Sequence, residues 1–152
     1  ITAQEQFDLT ETVSQVLVSL EGKITGRDLD VDVKMPDEPL KVWGDPDSVT
    51  QVCYNLLDNA ARFTPAGGAV RLSAHVEGDV LTVAVEDSGP GFSPEALARA
   101  GRGFYTGDAG RPREGHMGMG LTFARQTARR HGGTLELSNT GRGARAALTL
   151  PL

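Results

Sequence analysis

Three short stretches of the chain combine residue types that could do chemistry together. Asn55, Asn59 and Arg62 recur at i, i+4 and i+7, so on a helix advancing about 100° per residue they form one narrow stripe. Amide oxygens suit a hard cation, and a guanidinium suits phosphate oxygens. A solvated helix face with two interior asparagines has the same pattern. The second stretch is Asp87-Ser88-Gly89-Pro90-Gly91-Phe92, directly after an alternating run that ends at Val85. An acid at a strand end can accept a hydrogen bond from an exocyclic amine, and glycines after it let the backbone pass close to a flat ligand. An ordinary strand-to-helix turn also favours Asp, Gly and Pro. The third is Gly115-His116-Met117-Gly118-Met119-Gly120-Leu121, just before a helical pattern. Glycines there leave backbone amides open toward phosphate, where the helix dipole favours negative charge. It lacks the Gly-Lys-Ser/Thr of a Walker A loop and does not come straight off a strand, as a dinucleotide fingerprint does. On its own it also fits a flexible loop entering a helix.

The elements that must position these stretches are legible from periodicity. Val13, Val16, Leu17, Leu20 and Ile24 have helical spacing over Thr10 to about Gly26. Leu29, Val31 and Val33 alternate as a half-buried strand, and a short extended piece follows at Leu40–Trp43. Asp45 can cap a second helix with Pro46 at its first position, and Val49, Val52, Cys53, Leu56, Leu57 and Ala60 mark that helix's buried side. Val70–Val76 and Leu81–Val85 alternate around Gly78-Asp79, which predicts a hairpin. A short helix begins near Ser93-Pro94, and a span over 101–120 with seven glycines and no period follows. A third helix runs from Leu121 to His131, and strands Thr134–Ser138 and Ala144–Leu150 flank a turn at Asn139–Gly143. This order predicts an α+β fold: a two-layer α/β sandwich whose mixed, mostly antiparallel sheet is covered on one face by about three helices.

Composition narrows the partners. The 152 residues suffice for one domain with one core, and the net charge of -5 lacks the basic excess that a nucleic-acid binder needs. No apolar run approaches the roughly 20 residues of a membrane span. Cys53, the single cysteine, sits on the apolar stripe and reads as a core residue rather than a nucleophile. His131, at a helix end before Gly132, stands where the dipole favours a cation.

Order and spacing together say more than any stretch alone. NLLDNAARFTP (Asn55–Pro65), DSGPGF, FYTGD (Phe104–Asp108), GHMGMGL and the trailing HGGTLELSNTGRGARAALTLP closely resemble the catalytic, ATP-binding domain of sensor histidine kinases. That family sits in a wider ATPase superfamily with gyrase-type topoisomerases and mismatch-repair ATPases, and the resemblance runs from Phe7 to Leu152. It implies one ATP-binding domain over 1–152, with 1–6 a remnant of the linker from a phosphoacceptor helical domain. By position it implies that Asn59, with Asn55 nearby, helps hold Mg²⁺ on the triphosphate and that Arg62 contacts phosphate. Phe63 and Tyr105 belong to the implied nucleotide site, Phe63 flanking the adenine. Asp87 accepts from the adenine amino group, and Gly89 and Gly91 shape the base pocket. Gly118, Met119, Gly120 and Leu121 close over the phosphates. A long ATP lid follows, with Arg102, Arg111 and Arg113 as candidates for the γ-phosphate.

The chain departs from the family pattern at Gly101, which replaces the usual first phenylalanine, at Thr106, and at His116. Arg145 takes a strand position where related proteins often carry a small hydroxyl residue near the adenine site. Hydrolysing superfamily members carry a general-base glutamate where this chain has Asn55, and an amide cannot accept that proton. The resemblance therefore implies poor hydrolysis and transfer of the γ-phosphoryl group elsewhere. None of His75, His116 and His131 has the acidic helical context of the family's acceptor. The expected acceptor is a histidine on helices preceding Ile1, with a response regulator downstream. The fragment is expected to be a monomeric cytoplasmic domain, its parent a homodimeric, membrane-anchored sensor. Two other readings remain open: a serine protein kinase of the anti-sigma-factor type, and a nonenzymatic module in which nucleotide orders the lid to display a binding surface.

Overall fold

The computed structural model describes residues 4–100 and 117–152, in the order β1(Glu5–Asp8), α1(Leu9–Ser19), α2(Glu21–Gly26), β2(Asp30–Lys34), β3(Lys41–Gly44), α3(Pro46–Phe63), β4(Ala69–Glu77), β5(Val80–Asp87), α4(Pro94–Ala100), α5(Met117–Arg130), β6(Thr134–Asn139) and β7(Ala144–Pro151). Five strands form one sheet in the order β2-β4-β5-β7-β6, antiparallel except for β2 beside β4, while β1 and β3 pair separately. Register puts Val33, Leu72, Val85, Ala146 and Leu137 in one cross-strand row. The next row is Asp32, Arg71, Glu86, Arg145 and Ser138. One face is thus apolar and the other charged, and a one-residue slip of any strand would exchange them.

The apolar face receives the helices. On α3 the stripe Val49, Val52, Cys53, Leu56, Leu57 and Ala60 is buried, joined by Leu9, Val13 and Val16 of α1 and by Leu121, Ala124 and Ala128 of α5. Burial alone pushes the Cys53 thiol up to about 12, so it is inert packing, as the sequence indicated. Asp45 caps α3, its Oδ1 accepting from the amides of Asp47 and Ser48, and Pro46 occupies the first turn. The predicted α+β sandwich is the observed one.

Four details go beyond the periodicity reading. The first helix is two, because Leu20 leaves helical geometry (φ -99°, ψ 2°) to bury its side chain, and α2 has no buried residue to extend the stripe. Glu5 and Gln6, within the stretch 1–6 that the resemblance marks as a linker remnant, pair with Gly44 and Trp43 in the small sheet. The short strand β2 joins the main sheet in parallel, a pairing no local pattern announces. And α5 begins at Met117, four residues before the predicted start, so Met117–Gly120 of the glycine motif form its first turn.

Candidate nucleotide site

The site begins at the end of β5. Asp87 is buried, and its Oδ1 accepts from the amides of Gly89 (2.9 Å) and Ala144 (3.2 Å). Those two bonds fix the carboxylate between the loop that follows it and the start of β7. A carboxylate accepts at both oxygens, so this arrangement suits an acid that also takes a ligand's N–H. Gly89 has to be glycine because a Cβ there would stand 2.5 Å from the Phe63 carbonyl at the end of α3. Gly91 is left-handed (φ 81°), and a Cβ there would press on the Asn139 side chain. Asn139 pairs with the Phe92 backbone in both directions: Oδ1 accepts the amide and Nδ2 donates to the carbonyl, each at 2.7 Å. Sequence reading placed Asn139 only in a turn, since an Asn ending a strand before Thr-Gly-Arg-Gly carries no signal of a partner 47 residues away.

The α3 stripe faces the first turn of α5. A Cβ on Gly120 would lie 3.7 Å from Cβ and Cγ of Asn55, so the backbone of the glycine motif runs against that side chain. Asn55 Oδ1 accepts from Gln51 Nε2 at 2.8 Å. Asn59 is buried, as is Leu121, and Phe63 packs in the core at the base of the loop. Gly118 and Met119 lie in the first turn of α5, whose leading amides have no intrahelical partner to satisfy them. Arg62 is tied through Nε to Asp58 Oδ2 at 3.1 Å, while Asp58 Oδ1 receives Lys23 Nζ at 2.7 Å. Tyr105, Arg102, Arg111, Arg113, Gly101, Thr106 and His116 lie outside the described residues.

Two residues take roles other than those read from sequence. Arg145 points to the bare face of the sheet, where Nε meets Glu86 Oε2 at 3.3 Å, while its neighbour Ala144 meets Asp87. Alternation along β7 explains it: the position next to Asp87 faces in, and the following one faces out. His131 is a bridge between two helices. Its Nε2 accepts from the Asp45 amide at 3.1 Å, which leaves Nδ1 to donate to the Thr127 carbonyl at 2.7 Å. The ring joins the end of α5 to the cap of α3. Asp87 also borders an open hollow of about 370 Å³ on the bare side, with Asp30, Asp32, Arg71, Glu86 and Arg142. Among the described residues, none of α3 or α5 lines it.

A model of the histidine kinase-, DNA gyrase B- and HSP90-like ATPases matches residues 44–152, which holds every element of this site. The chain belongs to that family. Its relatives within it are sensor kinases. It is 33% identical over 147 residues to the histidine protein kinase DivJ of Caulobacter vibrioides, covering 96% of this chain and 25% of the relative. It is 37% identical over 144 residues to the adaptive-response sensory kinase SasA of Thermosynechococcus vestitus, covering 93% and 37%. The nucleotide-free catalytic domain of histidine kinase ThkA superposes with a TM-score of 0.86 at 26% identity, covering 99% of this chain and 98% of that one. The chain thus spans 25% to 37% of these two curated relatives and has the catalytic-domain fold of a histidine kinase.

In this kinase-type ATPase domain the donor set fits a hard cation held chiefly by its nucleotide. Among the described residues there is no group of three or more His, Cys, Asp or Glu side chains able to cage a metal ion. Asn55 on α3 lies against the glycine turn of α5, and amide oxygens are ligands that a hard cation such as Mg²⁺ accepts. Also among the described residues, no helix is long and apolar enough to cross a membrane.

Proposed function

We propose that the domain binds Mg-ATP and passes its γ-phosphoryl group to a histidine on a helical segment of its parent sensor, from which a response regulator receives it. The observation that carries this reading is Asn55. It is the α3 side chain against Gly120, and it is an amide. Water therefore finds no general base at that position, and the nucleophile has to come from outside. The imidazole nitrogen of the acceptor attacks the γ-phosphorus, the bond from that phosphorus to the bridging oxygen breaks, and ADP leaves. Asp87, with Gly89 and Gly91, holds the base. Arg62, Asn59 and the first turn of α5, through Gly118, Met119, Gly120 and Leu121, hold the phosphates in line. Asn59, with Asn55 nearby, would hold Mg²⁺, which would supply charge neutralisation for the phosphates.

ThkA, which shares this fold, has been solved in complex with the response regulator TrrA, and a structure of ShkA holds AMPPNP. Those complexes support a regulator and an ATP-type ligand here. The parent is a homodimeric sensor, anchored in the membrane with this domain on the cytoplasmic side. The test is incubation of the parent protein with γ-labelled ATP and Mg²⁺. The expected product is a phosphoprotein whose label is lost in acid and kept in base, the behaviour of phosphohistidine. An acid-stable label on a partner protein would point to the serine-kinase reading. Saturable nucleotide binding without any transfer would point to the interaction module.

A further inference from the structure

Asp58 stands out because it is an acid with only 7% of its side chain exposed, on a helix whose other buried residues, Asn59 apart, are apolar. Each carboxylate oxygen has its own cation: Lys23 Nζ from α2 at 2.7 Å on Oδ1, and Arg62 Nε at 3.1 Å on Oδ2. Lys23 is held in turn over Tyr54, 6.0 Å from its ring centroid, one turn earlier on α3. Arg62 is i+4 from Asp58 and i+3 from Asn59, so it stands between the acid and the buried amide.

Two physical points follow. An Arg62 side chain without a partner would sweep many rotamers, and holding Nε fixes the plane of the guanidinium that a phosphate has to match. A single acid on Arg62 would cancel the charge that attracts phosphate. Here Lys23 supplies the second cation, so these three side chains by themselves carry a net charge of about +1 beside Asn59.

We infer that Asp58 and Lys23 are positioning residues: Asp58 orients Arg62 toward the triphosphate, and Lys23 offsets the charge of Asp58 so that the cluster still attracts it. The inference rests on the reading of Arg62 as a phosphate contact. It adds that the contact depends on a tie from α2, an element with no other place in the site.

The test is calorimetric titration of the chain with a nonhydrolysable ATP analogue and, by NMR, with adenosine, for wild type, Asp58→Asn, Arg62→Gln and the double variant. Asp58→Asn should weaken the analogue about tenfold, the scale of one charge-assisted hydrogen bond, and leave adenosine unchanged. In the Arg62→Gln background it should add nothing. Lys23→Met should weaken the analogue a few-fold, again sparing adenosine, and this holds the test open should Asp58→Asn fail to fold. Equal losses for analogue and adenosine would mean a purely structural tie and would overturn the inference, as would unchanged or tighter analogue binding. If Arg62→Gln alone has no effect, it is the phosphate role of Arg62 that fails.

Discussion

The base flank and the phosphate flank of the site are held by different kinds of bond. On the base flank, Asp87 is fixed by two backbone amides, Phe92 by the Asn139 side chain, and Gly89 by direct contact with the end of α3. On the phosphate flank the ties are between side chains: Gln51 to Asn55, and Lys23 and Arg62 to Asp58. Backbone ties leave one arrangement, whereas side chains can re-pair when a ligand arrives. On the proposed reading the fold offers a preformed base pocket beside a phosphate surface that adjusts, which is economical because adenine is rigid and a triphosphate is not.

The sharpest test of this contrast is Asp87→Asn. The amide oxygen can still accept from Gly89 and Ala144, so the loop should keep its shape and the protein its unfolding temperature. The other end of the side chain becomes a donor facing a donor. Affinity for a nonhydrolysable ATP analogue should fall by about 100-fold, or about 2.7 kcal/mol. Calorimetry beside thermal unfolding checks both halves. A large drop in unfolding temperature would mean that the fold depends on the negative charge itself, and the flank would be less rigid than its bonds indicate.

A second substitution tests the steric part of the same flank. In Gly89→Ala the added methyl meets a helix-end carbonyl rather than a pliable side chain, so either the loop or the end of α3 has to move. We expect destabilisation of about 1–3 kcal/mol, the range for overpacking a well-filled site, with roughly tenfold weaker nucleotide binding. Wild-type affinity in this variant would show the base flank to be pliable and erase the distinction from the phosphate side.

The contrast also explains what could be read before the fold was known. The α3 stripe, Asp87 and the glycines could be picked out because their pattern sits in local spacing: a 3.6-residue period, a strand end, a glycine where the chain turns; the roles proposed for them came with the family resemblance. The buried side of α3 was right residue by residue for the same reason. What could not be read depends on partners far along the chain. Asn139 meets Phe92 across 47 residues, Lys23 meets Asp58 across 35, and His131 meets Asp45 across 86. Arg145 is instructive in another way. Its strand was assigned correctly, but which face it takes follows from the register of β7 against β5, and that register is a tertiary fact. The start of α5 was placed late because glycine is a poor helix former, and packing of the following turns overrides its propensity.

Asn139→Ala probes the smallest of these effects and separates shape from contact. Asn139 meets the backbone of Phe92, next to Gly91, and nothing described places it against a phosphate. The substitution removes both bonds to Phe92, and because Asn139 is exposed the loss is limited to about 1–2 kcal/mol of stability in a denaturant titration. Gly91 then loses the side chain that defines its left-handed turn, and the Asp87 loop gains freedom that the nucleotide has to remove on binding. Affinity should fall only a few-fold, with adenosine and the ATP analogue affected alike because the disturbance lies on the base flank. That equal response is the mirror image of the one expected for Asp58→Asn. A loss confined to the analogue would mean that the loop after β5 reaches the phosphates as well, and the two flanks would then be one.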